Sequence, residues 1–147
     1  MKTLQIITFA LFATATLTAQ DLIKTEVPTS FTEGLLKEYP NAKNIEWERS
    51  DNNFKVEFDV DRMERKVFFN KDGDKVKIEA EMIKTKLPIV LIESIKKHYA
   101  DYRIDSVRSF TKNGITTYKV DLERAGWTEE ITLTYSEAGK VLGINKD

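Results

Sequence analysis

Phe54-Lys55-Val56-Glu57-Phe58-Asp59 is the stretch that decides the architecture of this chain. Apolar and charged side chains alternate with a period of two, as in a strand that buries one face and shows the other to water. Val60 and Asp61 continue the alternation, and Ile45-Glu46-Trp47-Glu48 anticipates it on the N-terminal side. The pattern returns as Tyr118-Lys119-Val120-Asp121-Leu122-Glu123. A sheet with one apolar and one charged face follows, and antiparallel sheets are the ones that leave a face to solvent.

Working outward, the similarity extends beyond these strands. Val27-Pro28 followed by Tyr39 recurs as Leu87-Pro88 followed by Tyr99, Phe31 and Leu35 align with Leu91 and Ile95, and Val67, Phe69 and Gly73 align with Leu133, Tyr135 and Gly139. The offset widens along the chain, as loop insertions in a second copy would make it. Two tandem repeats are therefore expected, over residues 20–82 and 83–147. Each opens with a helix, since Pro28 and Pro88 suit a first turn and Phe31, Leu35, Tyr39 and Leu91, Ile95, Tyr99 fall on single faces. Pro40 ends the first helix, and Lys96, Lys97 and His98 favour the negative end of the second. Four strands follow in each copy, at about 44–50, 53–60, 63–70 and 75–82, then 104–111, 115–124, 128–135 and 140–145, from the alternation itself. Asp51-Asn52-Asn53, Lys71-Asp72-Gly73, Lys112-Asn113-Gly114 and Glu137-Ala138-Gly139 read as hairpin turns. The expected fold is α+β: two tandem repeats, each one helix followed by a four-stranded antiparallel sheet, with the helices packed on one sheet face.

Composition narrows the chemistry. The chain has 147 residues, 41% hydrophobic and 32% charged, enough for one compact unit or two very small ones. No cysteine is present, which removes disulfides, thiolate metal sites and thiol nucleophiles together. His98 is the single histidine, and the formal net charge of −1 lacks the basic excess that phosphate backbones require, so no nucleic acid is expected. Residues 1–19 read as a cleavable signal peptide. Lys2 gives a positive start, Leu4 to Ala13 an apolar stretch too short to span a bilayer, and Ala15 to Ala19 the small residues a signal peptidase accepts. Cleavage is expected after Ala19, with Ala15 as the alternative site. The expected product is periplasmic or secreted, with no membrane span after signal removal and no lipid-anchoring cysteine.

The run from Val27-Pro28 to Tyr39-Pro40, the Ile45-to-Glu48 strand, the Phe54-to-Phe58 strand and the Phe69-Asn70-Lys71-Asp72-Gly73-Asp74 hairpin together resemble the PepSY-like family of small secreted proteins. The resemblance covers almost the whole chain after the signal segment, in two tandem copies. It implies a fold similar to that of the beta-lactamase inhibitory protein, and a role in binding or inhibiting another exported protein such as an enzyme or peptidase. The second copy departs from the pattern, with Ala100 after Tyr99, Val107 at the tryptophan position and Ala138-Gly139 at the turn.

Catalytic readings find little support in the residues. Asn70, Asp72 and Asp74 alternate like calcium ligands, but an EF-hand loop wants glycine where this register places Lys75, and its bidentate glutamate would be Glu81, within an expected strand. Glu57, Asp59 and Asp61 share a strand face with Lys55, with nothing in view to desolvate them for general acid work. His98 has no nucleophile beside it. No enzyme activity, cofactor or metal is expected.

A surface for a partner is the more productive reading. The sheet face away from the helices should carry Glu46, Glu48, Lys55, Glu57, Asp59, Glu64, Lys66 and Phe68, continued by Arg108, Phe110, Lys119, Asp121, Glu123, Glu130, Thr132 and Thr134. Residues 20–82 carry a net charge of −4 and residues 83–147 of +2, so the face has a charge gradient. The expected partner-binding face comprises Glu46, Glu48, Lys55, Glu57, Asp59, Lys66, Phe68, Phe110 and Trp127, the last following the turn at Arg124-Ala125-Gly126. The function expected is a non-enzymatic protein-binding or inhibitory module. The alternative is an envelope or stress-related structural protein that self-associates through its sheet edges.

Overall fold

Pro28 and Pro88 stand at the N-caps of two ten-residue helices, α1 over Thr29–Glu38 and α2 over Ile89–His98. An absent proline N–H is harmless there, because the first turn has no carbonyl to receive it. Each helix ends at a tyrosine whose N–H donates to the carbonyl four residues back, Tyr39 to Leu35 and Tyr99 to Ile95, both at 2.8 Å. The computed structural model describes residues 20–21, 26–50, 52–126 and 129–146. The expected signal segment, residues 1–19, and Trp127 lie outside the described residues.

Among the described residues nine strands form one antiparallel sheet, ordered as in the chain. They are β1 Gln20–Asp21, β2 Lys43–Ser50, β3 Asn53–Val60, β4 Met63–Phe69, β5 Lys75–Glu81, β6 Tyr102–Lys112, β7 Ile115–Arg124, β8 Glu130–Ser136 and β9 Val141–Lys146. A 3-10 turn, Lys84–Lys86, precedes α2. The expectation of two tandem repeats, each a helix with its own four-stranded sheet, is corrected by the β5–β6 ladder. That ladder runs from Lys77 opposite Lys112 to Glu81 opposite Arg108 and makes the sheet continuous. Alternation dictates which side of a strand is buried and is silent about which edges meet. Two separate sheets would leave the N–H and C=O groups on one edge each of β5 and β6 without strand partners, and pairing those edges satisfies them.

Both helices cover the same face. Beneath α1, Val27 and Leu35 pack with Trp47, Val56, Phe58, Val67 and Phe69, all buried. The Phe31 ring is 5.4 Å from Phe54 and 5.7 Å from Phe69, between centroids. Beneath α2, Leu91 and Ile95 pack with Val107, Val120, Leu122, Ile131, Leu133 and Tyr135. Between these clusters the covered face holds the small or hydroxylated residues Ala80, Ser109, Thr111 and Thr116, the two threonine hydroxyls 3.0 Å apart.

Turn chemistry fixes the register. Asn113 and Gly114 have φ of 51° and 76°, the left-handed pair that a two-residue hairpin needs. Gly73 has φ of 90° and lies under Phe31, where an added Cβ would come within 3.0 Å of the ring. Bulges at Lys43/Glu46 and Ile104/Ser106 shift the pairing, with Asn44 at φ 52° in the first.

Candidate interaction face

Alternation places every second strand residue on the face away from the helices, and the ladders align them in rows. One row reads Glu48, Lys55, Phe68, Lys77, Lys112, Ile115 from β2 to β7. The next reads Glu46, Glu57, Lys66, Glu79, Phe110, Thr117, Ser136 from β2 to β8. A third brings Glu81, Arg108, Lys119 and Thr134 together from β5 to β8.

Over β2–β4 the charges are arranged to cancel. Lys55 pairs with Glu48 at 2.6 Å and with Glu57 at 3.6 Å, and Lys66 pairs with Glu57 at 3.1 Å and Glu64 at 3.2 Å. Acids also face each other, Glu46 opposite Glu57 and Asp59 opposite Glu64. Lys66 reaches Glu57 and Glu64, however, and the Asn44 amide donates to Asp59 at 2.7 Å. Partial burial pushes the Glu57 carboxyl up, but hydrogen bonding and charge from Lys66, with smaller help from Glu64 and Lys55, outweigh it and hold the group below its ordinary range. Lys66 is the mirror image: burial lowers it, and Glu57 and Glu64 more than compensate, so it titrates above the ordinary lysine value. The Glu57 carboxylate is thus stabilised as an anion, the opposite of what a general acid requires.

Eight of the nine residues expected at a partner face lie within the described residues, and all eight are on the open side. Glu46 is exposed, whereas Glu48, Lys55, Glu57, Asp59, Lys66, Phe68 and Phe110 are half-buried by their neighbours. Lys77 lies over the Phe68 ring, its Nζ 4.6 Å from the centroid, and is paired with Glu79. Phe68 and Phe110 flank β5. The structure adds further residues to this surface, Lys77, Lys112 and Ile115 among them. Ile115 is 69% exposed. The sequence signal for them was parity, obscured where Lys112 reads as part of a turn and where β5, Lys-Val-Lys-Ile-Glu-Ala-Glu, has few large apolar side chains.

The other candidate groups are spent on structure or lie apart. The Asn70 Oδ1 accepts the backbone N–H groups of Asp72 at 3.0 Å and Asp74 at 2.8 Å, which closes the hairpin. Among the described residues no three His, Asp or Glu side chains gather to hold a metal ion. His98 is exposed at the end of α2. A groove of about 830 Å³ between α1 and β2 is lined by Val27, Thr32, Leu36, Ile45 and Trp47, with Lys43 and Glu46 as its charged lining residues among those described. Among the described residues no helix is long and apolar enough to cross a membrane.

Several solved structures share this fold. A BLIP-like protein from Bacteroides fragilis aligns with a TM-score of 0.62 over 81% of this chain and 85% of its own, at 23% identity. A Bacteroides eggerthii structure, named as "putative periplasmic proteins", gives 0.66 over 82% and 88% at 16% identity. A DUF2874 family protein from Bacteroides uniformis gives 0.65 over 82% and 89% at 15% identity. At these identities the likeness is one of fold. No curated protein matches the chain in sequence. Residues 59–143, more than half the chain, match the family described as "Putative beta-lactamase-inhibitor-like, PepSY-like". That match runs from the end of β3 into β9 and takes in most of the rows on the open face, and the chain belongs to this PepSY-like family.

Proposed function

We propose that this protein is an exported, non-enzymatic module that binds another protein on the open face of its sheet. One observation carries the reading. Phe68, Phe110 and Ile115 stand on a face that no element of the described fold covers, amid charged neighbours that half-bury the two rings and leave Ile115 exposed. A broad, pleated face with aromatic side chains in a polar surround has the composition of a protein interface centre. The resemblance to BLIP-like proteins supports a protein as the ligand, and the apolar stretch at residues 4–13 supports export. A photo-crosslinking amino acid at Phe110 should join a protein from the cell envelope, and the same group at Glu33, exposed on α1, should not. Equal labelling from both positions, or none from Phe110, overturns the reading.

A second reading has its own observation. The last strand, β9, pairs only with β8 among the described residues, and its Val141, Leu142 and Ile144 are exposed. An apolar strand at the end of the described sheet is a template for adding another strand, which would make the protein a self-associating envelope component. Sedimentation across a wide concentration range tests this: a monomer throughout excludes assembly through β9.

A further inference from the structure

We propose that the segment received by the open face is acidic and carries an apolar side chain, and that it docks over β5–β7 on Phe110 and Ile115 between Arg108, Lys112 and Lys119. The inference rests on the open-face reading and adds the chemistry of the partner. Across β2–β4 the register sets each open-face lysine against an acid, Glu48 against Lys55 and Glu57 against Lys66, and Lys66 also reaches Glu64 beside the acid pairs Glu46/Glu57 and Asp59/Glu64. Across β5–β7 it sets like charges face to face, Lys77 against Lys112 and Arg108 against Lys119. Direct cross-strand pairs of one sign are unfavourable. Nearby acids relieve only part of this. Lys77 is paired with Glu79, and Arg108 meets Glu81 at 3.4 Å while half-exposed. Lys112 and Lys119 are exposed and make no ion pair among the described residues.

These cations surround apolar surface. Phe110 lies between Arg108 and Lys112 along β6, and across the ladder from Thr117, which lies between Ile115 and Lys119 on β7. A carboxylate-bearing segment would relieve both like-charge pairs, while an apolar side chain on it would cover Phe110 and Ile115. On the open face of β2–β4, Glu48, Glu57 and Glu64 are already paired with lysines and Asp59 accepts from the Asn44 amide, which leaves chiefly Glu46 for a basic partner. The chain as a whole has a net charge of −1, so the cationic strip is local, which suits a protein segment better than a long polyanion.

The test uses the signal-free chain, isotopically labelled, and a capped synthetic peptide of sequence Glu-Phe-Glu-Glu-Phe-Glu. Amide shifts on titration should centre on residues 108–119, and the double variant Lys112→Glu/Lys119→Glu should weaken binding at least tenfold. Glu57→Lys/Asp59→Lys should retain it. Circular dichroism of each variant checks folding, with Lys112→Gln/Lys119→Gln as a milder pair expected to weaken binding in the same direction. Shifts centred elsewhere, no shifts, or tighter binding of the peptide with lysine in place of glutamate overturn the proposal. Lysine-dependent binding to vesicles of anionic lipid without binding to the peptide overturns it too, by assigning the strip to a membrane surface. If crosslinking through Phe110 finds a partner that the double variant still holds, the docking face stands and its acidic specificity falls.

Discussion

Arg108 stands directly opposite Lys119 in the register of β6 and β7, so two cations share one cross-strand position on an open sheet face. Such a pair costs stability that an opposite charge would recover, about 0.2–1 kcal/mol for a directly opposed pair. Lys119→Glu should therefore stabilise the isolated protein, read as a higher urea midpoint at unchanged slope. The same variant should bind the acidic peptide less well. A change that improves the fold and impairs the site is expected where a sequence retains local conflict for function. A variant that is destabilised, or that gains stability without losing the peptide, would break the link between the charge pair and binding.

Glu57 and Lys66 give the face a pH signature. The Glu57 carboxyl is held lower in the folded chain than its ordinary value, because the Lys66 contacts outweigh burial. Its contribution is complete above the ordinary carboxylate range and fades as pH falls through the lowered folded value. Lys66 is raised, so its part is complete below the ordinary lysine value of about 10.4 and is lost as pH rises through the folded value. Glu57→Gln should be less stable than the parent near neutrality, and the difference should shrink below about pH 4 and in high salt. Urea titrations at a series of pH values check it; a difference constant with pH would mean that the ion pairs contribute nothing.

How much of this was legible beforehand depends on what alternation encodes. Phe54, Val56 and Phe58 announce a buried face, and the chain buries Val56 and Phe58. Glu57 and Lys55 announce an open one, and both point there. Which strands meet is a different quantity. Glu81 and Arg108 become neighbours only because α2 folds back over one face, and nothing in the period of either strand specifies that contact. The expectation of two sheets failed at this junction. Charge pairing is subject to the same limit: an acidic count over residues 20–82 says nothing about Lys66 lying between Glu57 and Glu64. The bulge at Ile104/Ser106 likewise shifts parity without any glycine to mark it.

Gly73 and Phe31 test how the first helix is seated. The glycine has φ of 90°, and a Cβ there would meet the Phe31 ring at 3.0 Å. Gly73→Ala combines an unfavourable backbone with a displaced aromatic, and should cost about 1–3 kcal/mol. The near-perpendicular contact of Phe31 with Phe54, at 88°, should be disturbed with it. Thermal denaturation and near-ultraviolet dichroism check both effects. A variant as stable as the parent would mean that the turn and the helix are not coupled.

The apolar stretch at residues 4–13 and the small residues before Gln20 lead us to expect export and cleavage after Ala19. N-terminal sequencing of protein recovered from the periplasmic or secreted fraction should begin at Gln20, or at Thr16 if Ala15 is the site used. A product that retains Met1 would remove both the processing and the exported location.

The β5–β6 ladder makes a prediction about cooperativity. Five residue pairs join the strands below α1 to those below α2 in one hydrogen-bonded sheet, although the two apolar clusters beneath the helices are distinct. If the ladder transmits stability, damage to one cluster should be felt in the other. Leu133 is fully buried under α2, and Leu133→Ala should cost about 2–5 kcal/mol. Native-state hydrogen exchange should then show the amides of Val56 and Val67, on the far side of the ladder, losing protection by the same free energy as that of Val120. The small and hydroxylated residues at the junction, Ala80, Ser109, Thr111 and Thr116, bury little apolar surface, so backbone pairing must carry the coupling. Replacing Ser109 with proline would remove an N–H in that strand and should uncouple the clusters before it unfolds either. Protection at Val56 that survives Leu133→Ala unchanged would show that the continuous sheet is two energetic units sharing one ladder.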